Sequence, residues 1–187
     1  MTPAGKGTVA FGKPIRRAWP LDPDVVYLNH GTVGVAPNRA LEAQERIRRE
    51  MDRRPAQFLL REISEIAVGV PRTEPPLLRQ AAARVARFLN CDGNDLVFVD
   101  NATSGVNAVL RSFSFRPGDE IAISDLAYGA IRNVAQFRAQ ETGARVRDVL
   151  VPGPPFSESA IVEAYGAALT PRTRLLIVDH VTSESAL

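Results

Sequence analysis

The sequence predicts an α/β domain built on a mainly parallel sheet with helices on both faces. From about residue 77 onward, helical and strand patterns alternate along the chain, which is typical of parallel strands joined by helices. The strand cores LVFV, IAI and LLIV are continuously apolar, as expected for strands covered on both faces. These two observations predict the fold class.

Before residue 77, the chain is predicted to form helices and loops. Residues 18–37 hold many turn-forming pairs with Pro and Gly. A helix is predicted to begin near Asn38, its candidate N-cap, because apolar residues then recur at helical spacing, and it is predicted to break at Pro55. A short helix over 57–66 and a proline-rich loop over 70–76 are predicted to follow.

Strands and helices alternate in the rest of the prediction, separated by turn residues such as the PGD of 117–119 and Gly143. The predicted helices cover 77–89, 103–113, 129–142 and 157–169, and the predicted strands cover 96–99, 120–124, 145–151 and 174–178. The first two of these helices are predicted to bury one apolar face each, made of Leu78, Ala81, Val85 and Phe88, and of Val106, Val109, Leu110 and Phe113.

These patterns divide the chain into three segments. Residues 1–17 are predicted to be a flexible tail, because most of them show no periodicity. Residues 18–76 are the helical and loop segment, and residues 77–187 are the sheet domain.

The composition is typical of a soluble globular protein. The chain has 187 residues, 45% hydrophobic and 24% charged, with a formal net charge of +2, which excludes collagen-like and disordered classes. No apolar run approaches the ~20 residues of a membrane-spanning helix. The arginines are interleaved with acids, so nucleic-acid binding is not predicted. The N-terminus has no apolar signal segment, and the cytoplasm is the expected location.

Disulfide and metal chemistry are not predicted. Cys91 is the single cysteine, so no disulfide can form within the chain. His30 and His180 are the two histidines, and their spacing is not that of metal ligands. His180 follows Asp179 and could orient a ligand or transfer a proton, or it could be structural.

Polar segments follow three of the predicted strands, at 100–105, 125–129 and 179–183. Ligands of open α/β sheets bind beyond the carboxyl ends of the strands. If the strands are parallel, the three segments lie at one edge of the sheet. They would offer hydroxyls and amides, an aromatic ring, and a carboxylate to a ligand.

The first polar segment enters a helix. Free N–H groups and the positive dipole end of a helix N-terminus bind anions such as phosphate. Asn101, Thr103 and Ser104 can add side-chain donors, and Gly105 allows a close approach of the backbone. A plain N-cap explains the same residues, and the segment matches neither the P-loop nor the dinucleotide-binding pattern.

The other two segments hold Tyr128 and Asp179. A carboxylate at the end of an apolar strand is costly unless it has a partner, and a protonated ring nitrogen of a cofactor would be one. A structural Asp that caps the next turn is the alternative. Tyr128 could stack on a flat ring, or it could pack half-buried against the core.

Five strings in this order resemble the fold type I pyridoxal-phosphate enzymes. They are YLNHGTVGVAP at 27–37, FLLR at 58–61, NATSG at 101–105, AYGA at 127–130 and VDHVTS at 178–183. The similarity is to the class V aminotransferase family, which includes cysteine desulfurases and isopenicillin N epimerase. The sequence looks most like the isopenicillin N epimerase branch, over about 20–183.

The resemblance implies a role for each site residue. It implies that pyridoxal 5′-phosphate binds with its phosphate at Ala102, Thr103 and Ser104, beside Asn101. It implies that Tyr128 stacks on the pyridine ring, that Asp179 pairs with the ring nitrogen, and that Thr182 bonds the ring hydroxyl. It places Asn29 and His30 on the substrate side. Asp179 is the catalytic candidate, together with His180 because it lies next to Asp179 in the chain.

The resemblance also implies a lysine that forms a Schiff base with the cofactor, downstream of Asp179. The chain ends at Leu187, and its two lysines, Lys6 and Lys13, match no family position. We therefore expect the N-terminal part of a longer enzyme, with residues 77–187 as an incomplete cofactor-binding large domain that is inactive alone.

Three functional hypotheses follow. The first is a homodimeric parent enzyme that acts on an amino acid or a related amine by epimerisation, transamination or carbon–sulfur cleavage. The second is a non-catalytic module that binds the cofactor or a partner, and the third is another phosphate-binding α/β domain.

Overall fold

The computed structural model describes residues 12–63 and 74–187. The chain divides into two compact units, Met1–Val97 and Phe98–Leu187, which are treated separately below. Within the described ranges, no helix has the length and apolar character needed to cross a bilayer.

The first unit is helical. It contains a 3-10 helix at Lys13–Ala18, α1 at His30–Val33, α2 at Asn38–Arg53, α3 at Pro55–Gln57, a π-helical turn at Phe58–Glu62, α4 at Leu77–Leu89 and a 3-10 turn at Gly93–Asp95. The predicted helices at 38 and at 77–89 are confirmed. Three predicted segments lie partly outside the described ranges. These parts are residues 1–11 of the tail, residues 64–66 of the helix at 57–66 and residues 70–73 of the loop at 70–76.

The start of α2 differs from the prediction by one residue. The helix begins at Asn38, so Pro37 occupies the N-cap position, with the extended dihedrals φ −67° and ψ 151°. The side-chain Nδ2 of Asn38 instead donates to the carbonyl of Arg17 at 3.0 Å. The side chain therefore links α2 to the preceding 3-10 helix.

The predicted buried face of α4 is wrong. The buried residues are Ala82 and Ala86, whereas Val85 is 38% and Phe88 is 89% exposed. Helical periodicity determines which residues share a face, but burial requires a second element against that face. Within the described part of the first unit, no element covers Phe88.

The second unit is a three-stranded parallel sheet with helices on both faces. Its elements are α5 at Ala102–Ser112, β1 at Glu120–Ser124, α6 at Gly129–Thr142, β2 at Arg145–Val149, α7 at Glu158–Ala168 and β3 at Thr173–Ile177. The strand order is β2-β1-β3, and both pairs are parallel. The predicted fold class is confirmed, and these elements lie within two residues of their predicted ends.

The predicted strand at 96–99 is wrong. The segment has no strand pairing with the described residues, and Val97, Phe98 and Val99 are 71%, 51% and 51% exposed. An apolar, β-branched run gives a preference for extended backbone, but a strand forms only where a neighbour supplies hydrogen bonds.

Alternating residues of β1 face two different sets of helices. Ile121 packs in a cluster with Leu110 of α5 and with Ala135 and Ala139 of α6. Its neighbour Ala122 packs on the opposite face, in a second cluster with Val149 and Ala168. The two-residue period of a strand explains this division.

Val109, predicted to point inward from α5, is 48% exposed.

A buried carboxylate lies at the start of β1. Glu120 is 4% exposed, and it accepts hydrogen bonds from Thr170 Oγ1 at 2.7 Å and from Arg172 Nε at 3.2 Å. The hydrogen bond from Thr170 is the main cause that holds the pKa of Glu120 below the usual 4.5; burial opposes it, and Arg172 adds to the lowering. These contacts connect β1 to the turn before β3.

We expect Glu120 to make stability depend on pH. Because its pKa is lower in the folded than in the unfolded chain, Glu120 stabilises the fold above about pH 4.5, and this contribution is lost as the pH falls through the folded value. Glu120→Gln should lower the urea midpoint at neutral pH, and the difference from wild type should narrow in acid.

The matched control is Glu45→Gln, which removes a carboxylate paired with Arg49 on exposed faces of α2. Such surface pairs contribute little. A constant difference between wild type and Glu120→Gln at all pH values would contradict the prediction.

Candidate functional site

The N-terminus of α5 has free amide donors. The Oδ1 atom of Asn101 accepts a hydrogen bond from the amide of Ser104 at 2.8 Å, so Ser104 could offer a ligand only its hydroxyl. Among the described residues, the amides of Ala102 and Thr103 have no acceptor. A Cβ atom on Gly105 would lie 3.4 Å from Val99 Cγ2, so the first turn packs against the preceding segment.

The helices α5 and α6 run in the same direction. Arg138, late in α6, donates to the carbonyls of Leu110 and Phe113 at the end of α5, at 3.1 and 3.3 Å. The end of α6 lies at the start of β1, since the amide of Gly118 donates to the carbonyl of Gly143. The N-termini of α5 and α6 therefore lie toward the carboxyl edge of the sheet.

Tyr128 lies at this edge, immediately before α6. Its carbonyl accepts hydrogen bonds from the amides of Ile131 and Arg132 at 2.9 and 3.2 Å. Its side chain is 55% exposed. This exposure leaves part of the ring accessible to a ligand, and the two predicted roles, stacking on a flat ring and half-buried packing, stay predictions.

Asp179 follows the carboxyl end of β3, the strand next to β1. Its Oδ2 atom is buried and has no hydrogen-bond partner among the described residues. A buried carboxylate oxygen normally has a donor, and leaving it unpaired is costly. The position next to β1 brings Asp179 to the same edge as Tyr128.

Thr182 and His180 follow Asp179. Thr182 is 8% exposed. Its Oγ1 atom lies 2.7 Å from Ser185 Oγ and accepts a hydrogen bond from the amide of Leu187 at 3.0 Å. The hydroxyl is thus engaged in a local turn, and its predicted bond to a cofactor ring stays a prediction. His180 is exposed.

Asn29 and His30 belong to the first unit. Asn29 caps α1 by accepting from the amide of Thr32 at 3.4 Å. The ring of His30 lies 4.9 Å from that of Tyr27 and 6.5 Å from that of Trp19. All three rings line a cavity of about 320 Å³. Their predicted substrate role stays a prediction.

One polar contact at the carboxyl edge was not expected from the sequence. Arg132 of α6 donates from Nη2 to the carbonyl of Ser124 at 2.7 Å and forms an ion pair with Asp148 of β2. An arginine four residues after Tyr128 was the available signal. Arginines on helices usually face solvent, so this signal is weak.

The residues of the carboxyl edge lie in a segment that matches a known protein family. The model of the aminotransferase class-V family matches residues 75–185, more than half of the chain. The chain belongs to the class V aminotransferase family. The predicted resemblance is confirmed, and so is the pyridoxal-phosphate cofactor that this family uses.

The class V relatives include enzymes of different reaction types. Isopenicillin N epimerase of Streptomyces clavuligerus is 35% identical over 167 residues, which are 89% of this chain and 39% of that protein. L-cysteine desulfhydrase of Arabidopsis thaliana is 27% identical over 173 residues, covering 85% and 36%. The 35% identity to the epimerase confirms the predicted likeness to the epimerase branch.

A solved structure shows the same fold. It is a mutant of C-DES, a cystine C–S lyase, with glycine covalently linked to its PLP cofactor. The TM-score is 0.68 at 26% identity, covering 90% of this chain and 41% of that one. This chain thus spans about two fifths of the length of these relatives.

The residues at the carboxyl edge fit the family's cofactor. Free first-turn amides at Ala102 and Thr103 suit a phosphate, and the accessible ring of Tyr128 suits stacking. The unpartnered Oδ2 of Asp179 lacks the donor that a protonated ring nitrogen would provide. Of the two lysines, Lys13 lies in the first 3-10 helix, and Lys6 is outside the described ranges.

Proposed function

We propose that this chain is the N-terminal part of a pyridoxal-phosphate-dependent enzyme acting on an amino acid or a related amine. The unpartnered buried oxygen of Asp179 carries the proposal, because it requires a donor. Membership of the class V family supports the cofactor assignment.

The phosphate would bind at the N-terminus of α5. The amides of Ala102 and Thr103 would donate to it, with the positive end of the helix dipole behind them. Asn101 already orders this turn by accepting from Ser104, so the donors are pre-arranged. This anchoring does not depend on Asp179.

The ring would lie against Tyr128, with its nitrogen toward Asp179. The carboxylate would hold a proton at the ring nitrogen, since an adjacent anion raises the pKa of a cationic group. When bound, the protonated cofactor withdraws electrons from the bonds at the α carbon of an amino acid. Asp179 thus controls the electron-withdrawing strength of the ring.

The reaction type is proposed from the relatives. Epimerisation is the first candidate, because an isopenicillin N epimerase shares 35% identity. Carbon–sulfur cleavage is the second, because an L-cysteine desulfhydrase and the lyase C-DES are also similar. The full-length enzyme is proposed to be a homodimer in the cytoplasm, with Asn29 and His30 on the substrate side.

A negative charge at the phosphate site tests the proposal. We expect Thr103→Glu to weaken binding of pyridoxine 5′-phosphate at least about tenfold, which corresponds to about 1.4 kcal/mol. This probe carries the ring and the phosphate but no aldehyde, so it cannot bond to a lysine. A glutamate in the first turn interacts favourably with the positive end of the helix dipole, so the stability of the folded chain should not fall. Phosphorus NMR titration measures the binding.

The matched control is Ser159→Glu, which puts a glutamate at the equivalent second position of α7. It should leave binding of the probe unchanged. Equal binding by wild type and Thr103→Glu would contradict the proposed phosphate site.

A further inference from the structure

Ser124 accepts three hydrogen bonds, from the turn that carries Tyr128 and from the helix that follows it. The carbonyl of Ser124, the last residue of β1, accepts from the amide of Ala127 at 3.1 Å and from Arg132 Nη2 at 2.7 Å. The hydroxyl of Ser124 accepts from the amide of Leu126 at 3.0 Å. Ser124 is 1% exposed, and its bonds to Leu126 and Arg132 are partly buried.

The same turn is fixed to the end of β2. The amide of Asp125 donates to the carbonyl of Val149 at 3.0 Å. The Oδ1 atom of Asp125 accepts from the amide of Val151 at 3.1 Å. The backbone on both sides of the turn is therefore held in one conformation.

Arg132 joins this turn to the helix that follows it. Its backbone amide donates to the carbonyl of Tyr128, while its guanidinium reaches back to Ser124 and across to Asp148. The Arg132 side chain is 23% exposed and the Asp148 side chain is 53% exposed. The bond to the buried carbonyl therefore matters more than the surface ion pair.

We infer that Arg132 is a positioning residue for the cofactor ring. It acts through Tyr128: by holding the first turn of α6 against the end of β1, it keeps the tyrosine ring where the pyridine stacks. This inference rests on the proposed function. An arginine fork can reach both acceptors at once, which a lysine cannot do.

The test uses the 187-residue chain and pyridoxine 5′-phosphate, with two NMR readouts. The phosphorus shift reports the phosphate at α5, and the upfield shift of the probe's ring proton reports stacking on Tyr128. In Arg132→Met, the ring-proton shift at saturation should be at least halved, with affinity about tenfold weaker. The phosphorus shift at saturation should be unchanged, because it depends on α5.

Two variants separate positioning from stability. Arg138→Met removes an arginine of the same helix that also donates to two carbonyls and pairs with an acid, Glu141, but lies at the opposite end of α6. It should lower the melting temperature as Arg132→Met does, yet keep both NMR signals. Arg132→Lys should give an intermediate ring-proton shift, and it replaces the methionine variant if that fails to fold.

Two results would overturn the inference. A full ring-proton shift in Arg132→Met, or in Arg132→Lys if only that variant folds, would overturn the role of Arg132 while leaving the proposed function intact. A wild-type chain that shifts neither signal of the probe would overturn both.

Discussion

Asp179→Asn in the proposed full-length enzyme should reduce turnover by about 10²-fold or more, the magnitude of losing one pre-organised electrostatic contact. Without an anionic partner the ring nitrogen has a lower pKa and stays unprotonated at neutral pH, so the ring withdraws electrons less strongly. The cofactor content after desalting should change much less, since the proposed phosphate anchor is at α5 and does not include Asp179. Steady-state turnover and cofactor absorbance measure the two effects.

Asp119→Asn is the matched control. Asp119 lies before β1, at the opposite edge of the sheet, and its Oδ2 atom accepts from the amide of Arg116 at 2.8 Å. An asparagine can accept the same bond, so turnover should be unchanged. Near-normal turnover in Asp179→Asn would remove the assignment of Asp179.

The second large effect concerns the 187-residue chain itself. After incubation with pyridoxal phosphate, borohydride reduction and desalting, we expect no lysine to carry the cofactor in stoichiometric amount. Lys6 and Lys13 are the only candidates. Lys13 is exposed, so water would hydrolyse an adduct there before it accumulated. Mass spectrometry of the reduced chain measures the outcome.

A stable yellow complex that survives desalting, with one lysine modified in nearly every molecule, would contradict the expectation that the chain lacks its cofactor lysine. A lysine encoded beyond codon 187, after a later strand, would support it. Modification at low levels on both lysines would agree with exposed, non-specific chemistry.

Where local pattern and tertiary packing agree, the sequence was sufficient. The run IAI lies in β1, whose burial is complete from Glu120 to Ser124. Gly143 ends α6 with φ 73°, a left-handed conformation that glycine adopts without steric cost. The N-cap role of Asn101 was likewise readable from its position before an apolar helix.

The failures have a common cause: each depended on a partner that the local pattern does not specify. The apolar run at 96–99 has the composition of a strand but no hydrogen-bonding neighbour in the described chain. Phe88 has the right helical spacing, yet it is 89% exposed. Arg132 reaches Asp148 across a sequence distance that no periodicity encodes.

The three polar segments were predicted to share the carboxyl edge of the sheet through three strands, and only two of the segments reach it in that way. These two follow β1, before Tyr128, and β3, before Asp179. The third segment, at Asn101, is instead oriented by the parallel packing of α5 on α6, where Leu110 lies in one buried cluster with Ala135 and Ala139. Helix packing thus replaces a strand in assembling the edge.

A crystal structure of the full-length protein with pyridoxal phosphate tests the central claim most directly. We predict the phosphate at the amides of Ala102 and Thr103, the ring against Tyr128, and the ring nitrogen within hydrogen-bond distance of Asp179 Oδ2. A phosphate bound away from α5, or a ring nitrogen that faces another group while Asp179 stays unpaired, would contradict it.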